Sequence, residues 1–296
     1  MLDYASLDAL AAVAREGSFE KAAAWLGVTP SAVSQRVKGL EERLGAVLVT
    51  RGAPCRATEI GAQLCAHLEQ VRLLESELTA DLPGLSTAHP AVRIAVNADS
   101  MSTWFPAAAA IFAQETGATL DLVLEDEAHT ADRLRSGEVL AAVTADPVAV
   151  QGCRTYELGA MAYAATATPA FMAEAFARGV DGESLQRAPM LRFDRRDMFQ
   201  ARWAREAHGV ELAAPVHWAP STQGMLDLCL AGLGWAMTPL ELARPYLKSG
   251  RLVELPPHHR ISMPLYWQRT RLGARLLDQL TQAVRSTTAT ALRRAS

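Results

Sequence analysis

The 296-residue sequence is poor in the features that would mark a membrane protein, a disulfide scaffold, a metal centre or an enzyme. Half of its residues are hydrophobic, yet no apolar run approaches the roughly 20 residues that a bilayer span requires. The start, Met1-Leu2-Asp3-Tyr4, lacks the basic residues and apolar core of a secretory signal, so a cytoplasmic chain is expected. Four cysteines, Cys55, Cys65, Cys153 and Cys229, are scattered without a Cys-x-x-Cys pair, which leaves buried or incidental thiols rather than disulfides or zinc ligands. The histidines show no His-x-x-x-His or His-Glu-x-x-His spacing, and His258-His259, after Pro256-Pro257, reads as a surface loop. Neither a Gly-x-Ser-x-Gly elbow nor a phosphate loop is present, and although a triad needs only spatial proximity, the expectation is no enzyme, no metal and no cofactor. Charge of one sign is missing too. The formal net charge is −3, and residues 1–60 balance seven basic side chains against seven acidic ones, so composition alone does not announce a nucleic-acid binder.

What is present begins with a helix signal. Thr29 is an N-cap type, Pro30 suits the first helical position, and Gly45 stands where a helix stops. Between them Ala32, Val33, Val37, Leu40 and Leu44 recur at spacings of three and four, while Ser31, Ser34, Gln35 and Lys38 fall elsewhere. One face packs and the other is short and polar, as base reading in a major groove requires: Gln pairs with adenine, Ser with base edge or phosphate, Lys with guanine or phosphate. An ordinary solvent-facing helix carries the same residues, so the context decides. Leu7–Glu16 reads as a helix ended by Gly17, Ser18–Gly27 as a second, and Gly27-Val28 as the tight turn into the third, the helix-turn-helix plan. Val47-Leu48-Val49 and the return from Arg51 to Thr58 suggest a β wing that places Arg51 or Arg56 near the sugar-phosphate backbone. Five of the seven basic residues lie from the recognition helix through the wing, enough for local phosphate contact but too few for tight binding without dimerisation. The DNA-contact candidates are Thr29, Pro30, Ser31, Ser34, Gln35, Arg36, Lys38 and Arg51.

This region resembles the LysR-type bacterial transcription regulators, which carry Ser-Phe-x-x-Ala-Ala, Ser-x-x-Ser and Leu-Glu-x-x-Leu-Gly runs, present here as Ser18–Ala23, Ser31–Ser34 and Leu40–Gly45. Gln35-Arg36 stands where many members have Arg-Gln, Val49 where Phe is common, and Ala57 where Leu usually precedes Thr58. With Pro54–Thr58, Val96–Ser100, Thr103-Trp104-Phe105 and Leu265-Tyr266-Trp267, the likeness is to the branch that regulates arginine and lysine export, over essentially the whole chain.

From Glu59 to about Ala80 no Gly or Pro follows Gly61, and Ile60, Leu64, Leu68, Val71, Leu74 and Leu78 repeat at spacings of three and four. Such a helix would run about 33 Å. A second copy is the expected cover for its narrow stripe; a helix lying on its own domain is the alternative. Residues 81–91, rich in Pro and Gly, read as a hinge.

From Val92 the pattern alternates: strand Val92–Val96, helix Ser102–Gln114, strand Thr119–Glu125, helix Thr130–Ser136 and strand Val139–Thr144 predict a parallel sheet with helices on its faces. A second series follows Thr168-Pro169: a helix to Arg178, a strand Pro189–Phe193, a helix Asp197–His208, a strand around Val216–Trp218, a helix Ser221–Ala231 and a strand Gly234–Thr238. The resemblance implies a two-lobed, periplasmic-binding-protein-like α/β effector domain, with the chain crossing near Ala162–Thr168 and returning near Ser262–Trp267. The expected division is a winged helix-turn-helix over 1–58, a linker helix over 59–80, the hinge, and an effector domain over 92–296. Lobe I then takes about 92–163 and 264–296, and lobe II about 164–263.

Ligands in open parallel sheets sit at the carboxyl ends of strands, near helix N-termini. Asn97–Thr103 after the first strand and Ser221–Gly224 in the second lobe offer amides and hydroxyls for a carboxylate, and Glu125, Asp126 and Asp194 offer anions for a cation. The candidate effector contacts are Ser100, Met101, Ser102, Thr103, Glu125, Asp126, Thr144, Asp194, Ser221 and Thr222. Capping alone would also account for Ser100, Ser102 and Ser221, while Glu127 and Asp197 read as solvated and Met101, Trp104 and Phe105 as core or cleft wall. The family branch implies L-arginine or L-lysine as effector, promoter DNA and RNA polymerase as partners, a homodimer or homotetramer, and an amino-acid exporter gene as target. An inhibitor of replication initiation, or a regulator with another effector, is the alternative.

Overall fold

The computed structural model describes residues 2–80, 91–124, 130–135 and 137–292. At the N-terminus α1 (Tyr4–Glu16), α2 (Phe19–Leu26) and α3 (Pro30–Leu44) are followed by the short antiparallel strands β1 (Val49–Thr50) and β2 (Arg56–Ala57). Each helix begins on a polar cap: Asp3 accepts from the Ala5 and Ser6 amides, Ser18 from Lys21, and Thr29 from Ala32. Such caps are worth about 1 kcal/mol apiece. Gly17, Gly27 and Gly45 end the helices in the left-handed region, where a Cβ would be penalised. Leu7, Leu10, Val13, Ala22, Val33, Val37, Leu40 and Leu48 form the core. Leu44, expected on the packed face, is 43% exposed because the last turn of α3 extends past that core.

The linker helix α4 (Glu59–Ala80) has the expected limits. Its apolar stripe is divided, however. Leu68 is buried in the winged-helix core with Leu64 packed beside it, whereas Ile60, Leu74 and Leu78 are exposed and Val71 is half-buried. At 3.6 residues per turn these six positions spread over about 120° of the circumference, with Leu68 and Leu64 at one edge and Ile60, Leu74 and Leu78 at the other, so the stripe faces two surroundings at once. The expected hinge at 81–91 lies, apart from Ala91, outside the described residues.

The C-terminal part begins with β3 (Ala91–Val96), α5 (Ala98–Ser102), α6 (Phe105–Thr116), β4 (Thr119–Leu124), α7 (Thr130–Arg135) and β5 (Ala141–Thr144). The single helix expected over Ser102–Gln114 is instead broken at Thr103-Trp104. Pro106 is the reason: in a continuous helix its ring would meet the Ser102 carbonyl. Then come β6 (Cys153–Ala167), α8 (Pro169–Ala175), α9 (Gly182–Arg187), β7 (Met190–Arg192), α10 (Phe199–His208), β8 (Val216–Trp218), α11 (Thr222–Leu230), β9 (Trp235–Pro239), α12 (Leu240–Lys248), β10 (Val253–Glu254), β11 (Arg260–Thr270) and α13 (Arg275–Ala291).

Among the described residues these strands form one nine-stranded sheet, β4-β3-β5-β11-β6-β9-β7-β8, with β10 on β6. The parallel trios β4-β3-β5 and β9-β7-β8 are the sheets of two lobes. The long antiparallel pair β6 and β11 joins them: β11 pairs with β5 over Tyr266–Arg269, and β6 with β9 over Tyr163–Thr166. The crossing is therefore longer than expected on the β6 side. A register shift at Leu265/Tyr266 marks its middle, beside Pro264 and Gly159, where the ladder is weakest.

Candidate functional site: a polar recognition helix and an interlobe cavity

The two candidate surfaces lie in different parts of the chain, one on α3 and the other among residues 97–239. On α3, Val33, Val37 and Leu40 point inward and are at most 1% exposed, which leaves Thr29, Pro30, Ser31, Gln35 and Lys38 in solvent and Ser34 and Arg36 half-buried. The Thr29 and Ser31 hydroxyls share a 3.0 Å hydrogen bond at the helix start. Lys38 lies 3.6 Å from Glu42 one turn on, an exposed pair that leaves the ammonium available to phosphate. Arg51 of the wing sits over the Phe19 ring at 5.3 Å, which holds the wing cation beside the start of α2.

Between the lobes is a cavity of about 560 Å³. Lobe I lines it with Asn97, Asp99, Met101 and Ser102, lobe II with Asp194, Asp197, Phe199, Ser221 and Thr222, and the crossing strand β6 with Tyr163. Of the expected contacts, Met101, Ser102, Asp194, Ser221 and Thr222 thus meet on one surface. Ser100, Thr103 and Thr144 do not line it. The Ser100 hydroxyl is fully buried behind the wall, the Thr103 hydroxyl donates to the Asp99 carbonyl at 2.7 Å, and buried Thr144 accepts from the Asp146 amide at 3.0 Å. Glu125 and Asp126 lie outside the described residues.

Several lining groups are already employed by their own loops. Ser221 accepts from the Gly224 amide as N-cap of α11, and Ser102 donates to the Ala98 carbonyl. Asp194 accepts from the Arg196 and Asp197 amides with one oxygen and approaches the Arg196 guanidinium with the other. Asp197, expected in solvent, faces the cavity, but its carboxylate accepts from the Phe193 and Phe199 amides and from Gln200. These two acids brace the loop before α10.

Asp99 differs. Tyr163 donates to its Oδ2 at 2.5 Å and Thr222 to its Oδ1 at 2.6 Å, both neutral donors, and no ion pair reaches it among the described residues. Burial raises its carboxyl above the ordinary aspartate range; the hydroxyls of Thr222 and Tyr163 pull the other way, and Asp197 adds to the rise. Tyr163 is itself held by stacking on Phe199, with centroids 4.4 Å apart and planes at 21°. A recessed carboxylate without a counter-cation, flanked by an aromatic pair, is chemistry suited to a small cationic ligand. In the sequence Asp99 reads as part of a helix start, and Tyr163 and Phe199 carry no signal of a role. The run Asn97-Ala98-Asp99-Ser100 contained the acid; its partners are 64 and 123 residues away.

A winged helix-turn-helix joined by a long helix to a two-lobed α/β module with an interlobe cavity defines a ligand-responsive DNA-binding regulator. The chain matches two family models, "Bacterial regulatory helix-turn-helix protein, lysR family" over residues 4–62 and "LysR substrate binding domain" over residues 86–289, and it belongs to the LysR family of regulators. Among its relatives is the HTH-type transcriptional regulator ArgP of Pseudomonas fluorescens, 44% identical over 95% of both chains. Among solved structures, ArgP of Mycobacterium tuberculosis superposes with a TM-score of 0.84 at 40% identity, each chain covered in full. Full-length LysG of Corynebacterium glutamicum, with the effector Arg bound, gives a TM-score of 0.75 at 42% identity, covering 99% of this chain and 100% of that one. Among the described residues no helix is long and apolar enough to cross a membrane.

Proposed function

We propose that this protein is a sequence-specific transcriptional regulator whose interlobe cavity binds L-arginine or L-lysine. The carrying observation is Asp99: a cavity-facing carboxylate, recessed and met among the described residues by two neutral hydroxyls, gains a counter-charge when a basic amino acid enters. The bound arginine of the C. glutamicum relative, at 42% identity, supports the same ligand class. A ligand touching both lobes favours one lobe orientation by its differential affinity, and the winged helices then change spacing on DNA.

In this reading residues 1–58 bind the promoter, 59–80 link and dimerise, and 92–296 sense. The cytoplasmic homodimer or homotetramer recruits RNA polymerase to a basic amino-acid exporter gene and works without a cofactor. Calorimetric titration with L-arginine and L-lysine, with L-glutamate and L-leucine as controls, tests it. A basic amino acid should bind and the controls should not. Asp99→Asn should weaken binding at least about tenfold, the loss of one charge-assisted contact. Binding of none of the four would remove the effector assignment.

A further inference from the structure

The linker helix α4 divides its circumference among three surroundings. Toward the winged helix it turns Leu64, buried Leu68 and Arg72, whose guanidinium meets Asp8 of α1 at 2.5 Å. Toward solvent it turns Ile60, Leu74 and Leu78. Toward lobe I it turns Ala66, Leu73 and Glu77, which are seven and four residues apart and therefore stack on one face.

That third face is closely fitted. A Cβ placed on Gly137, in the turn between α7 and β5, would come within 1.8 Å of the Ala66 Cβ, so only glycine lets the helix lie this near. Leu73 is 3% exposed within the apolar cluster of the effector half. Glu77 Oε1 accepts from the Leu276 amide at 2.7 Å. This bond answers a need of α13, whose N-cap is Ala274 and has no side chain to offer its first-turn amides. The Glu77 carboxylate caps that helix from outside and places an anion at the positive end of its dipole.

Position gives the contact its consequence. β11 runs from lobe II into lobe I and ends at Thr270, five residues before α13 begins at Arg275. Any tilt of β11 as the lobes close is passed to the start of α13, where Glu77 is bonded. We propose that Glu77 is a positioning residue for signalling: by capping α13 it clamps the linker helix, and with it the winged helix, to lobe I, so that effector-driven lobe motion reaches the DNA through this clamp. The signalling half of this inference rests on the effector reading above; the clamp itself does not.

The experiment uses the full chain as wild type, Glu77→Ala, Glu77→Lys and Glu77→Gln, with Glu75→Ala, exposed on the same helix, as control. Glutamine keeps a neutral acceptor, alanine removes it, and lysine opposes the dipole. Hydrogen exchange should show the Leu276 amide opening at least about tenfold faster in the Ala and Lys variants, the worth of one such bond, with Gln and the control near wild type. The ratio of DNA affinities with and without L-arginine should fall toward one in Ala and Lys, while L-arginine affinity stays within about twofold of wild type. If wild type binds no basic amino acid, the effector reading fails and the exchange result still judges the clamp. Unchanged exchange and unchanged ratio in Glu77→Ala would overturn the proposal. So would a uniform loss of DNA affinity with the ratio preserved.

Discussion

Thr222, the first residue of α11 in lobe II, donates a 2.6 Å hydrogen bond to Asp99 in lobe I, and through it the two lobes meet across the interlobe cavity. The same carboxylate takes a second bond from Tyr163 on the strand that crosses between lobes. Asp99 therefore touches both lobes and the crossing at once, a position from which its charge state and its ligand bear on their relative orientation.

Removing the hydroxyl tests the bridge. Thr222→Val keeps the shape but deletes the donor, and such a bond is worth about 0.5–1.5 kcal/mol to a neutral carboxyl and about 1.5–3 kcal/mol to an ionised one. The ligand-free variant should melt several degrees lower. Its small-angle scattering profile should show a more open effector half. An unchanged melting temperature together with an unchanged profile would mean that the bridge does not hold the lobes.

Asp99 also predicts a pH dependence. An unfolded aspartate titrates at about 3.9, and burial places the folded group higher. The fold thus holds this proton more tightly than the unfolded chain, so its contribution to stability is largest below the unfolded value and declines as pH rises through the folded one. An arriving cation favours the ionised form. L-arginine binding should therefore release protons and strengthen with rising pH until Asp99 is ionised in the free protein. Calorimetry in buffers of different ionisation enthalpy measures that release, which Asp99→Asn should abolish.

On the DNA side, Gln35 and Lys38 are exposed on α3 and carry different expectations. Gln35→Ala should relax base preference at one operator position by about 1–3 kcal/mol. Lys38→Ala should weaken all sequences alike and flatten the salt slope by about one. Binding assays across salt on operator and scrambled DNA separate the two. If neither variant departs from wild type, α3 is not the reading helix.

On the proposed reading, the exposed face of the linker helix serves assembly and its buried face serves folding. Leu74→Glu with Leu78→Glu, on the exposed face, should lower the dimerisation constant in sedimentation while leaving the winged helix folded. Leu68→Ala should instead destabilise that domain by about 2–5 kcal/mol, because its side chain is buried in the winged-helix core. Equal effects of the two changes on self-association would contradict this division of the helix.

Much of the architecture is local and was readable. Caps at Ser18 and Thr29, left-handed stops at Gly17, Gly27 and Gly45, and the change of period after Val92 act over a few residues, so they announce the helices, the wing and the α/β half directly. Even the break between α5 and α6 was written in Pro106. Harder to read were α9, a capping box of six residues, and α12, which carries Pro245 inside it; neither has the length or regularity that sets a period.

The sequence by itself determined the helices α3 and α4 and the two alternating series, because capping, periodicity and turn chemistry depend on neighbours along the chain. Only the tertiary structure decided which of the described cavity acids is met by distant hydroxyls rather than by its own loop, that Leu68 faces its own domain, and that Glu77 caps a helix 199 residues away. Asp99, Asp194 and Asp197 are alike as letters. They differ because loop amides and an arginine occupy the last two while two distant hydroxyls meet the first, and such pairings exist only once the chain has folded.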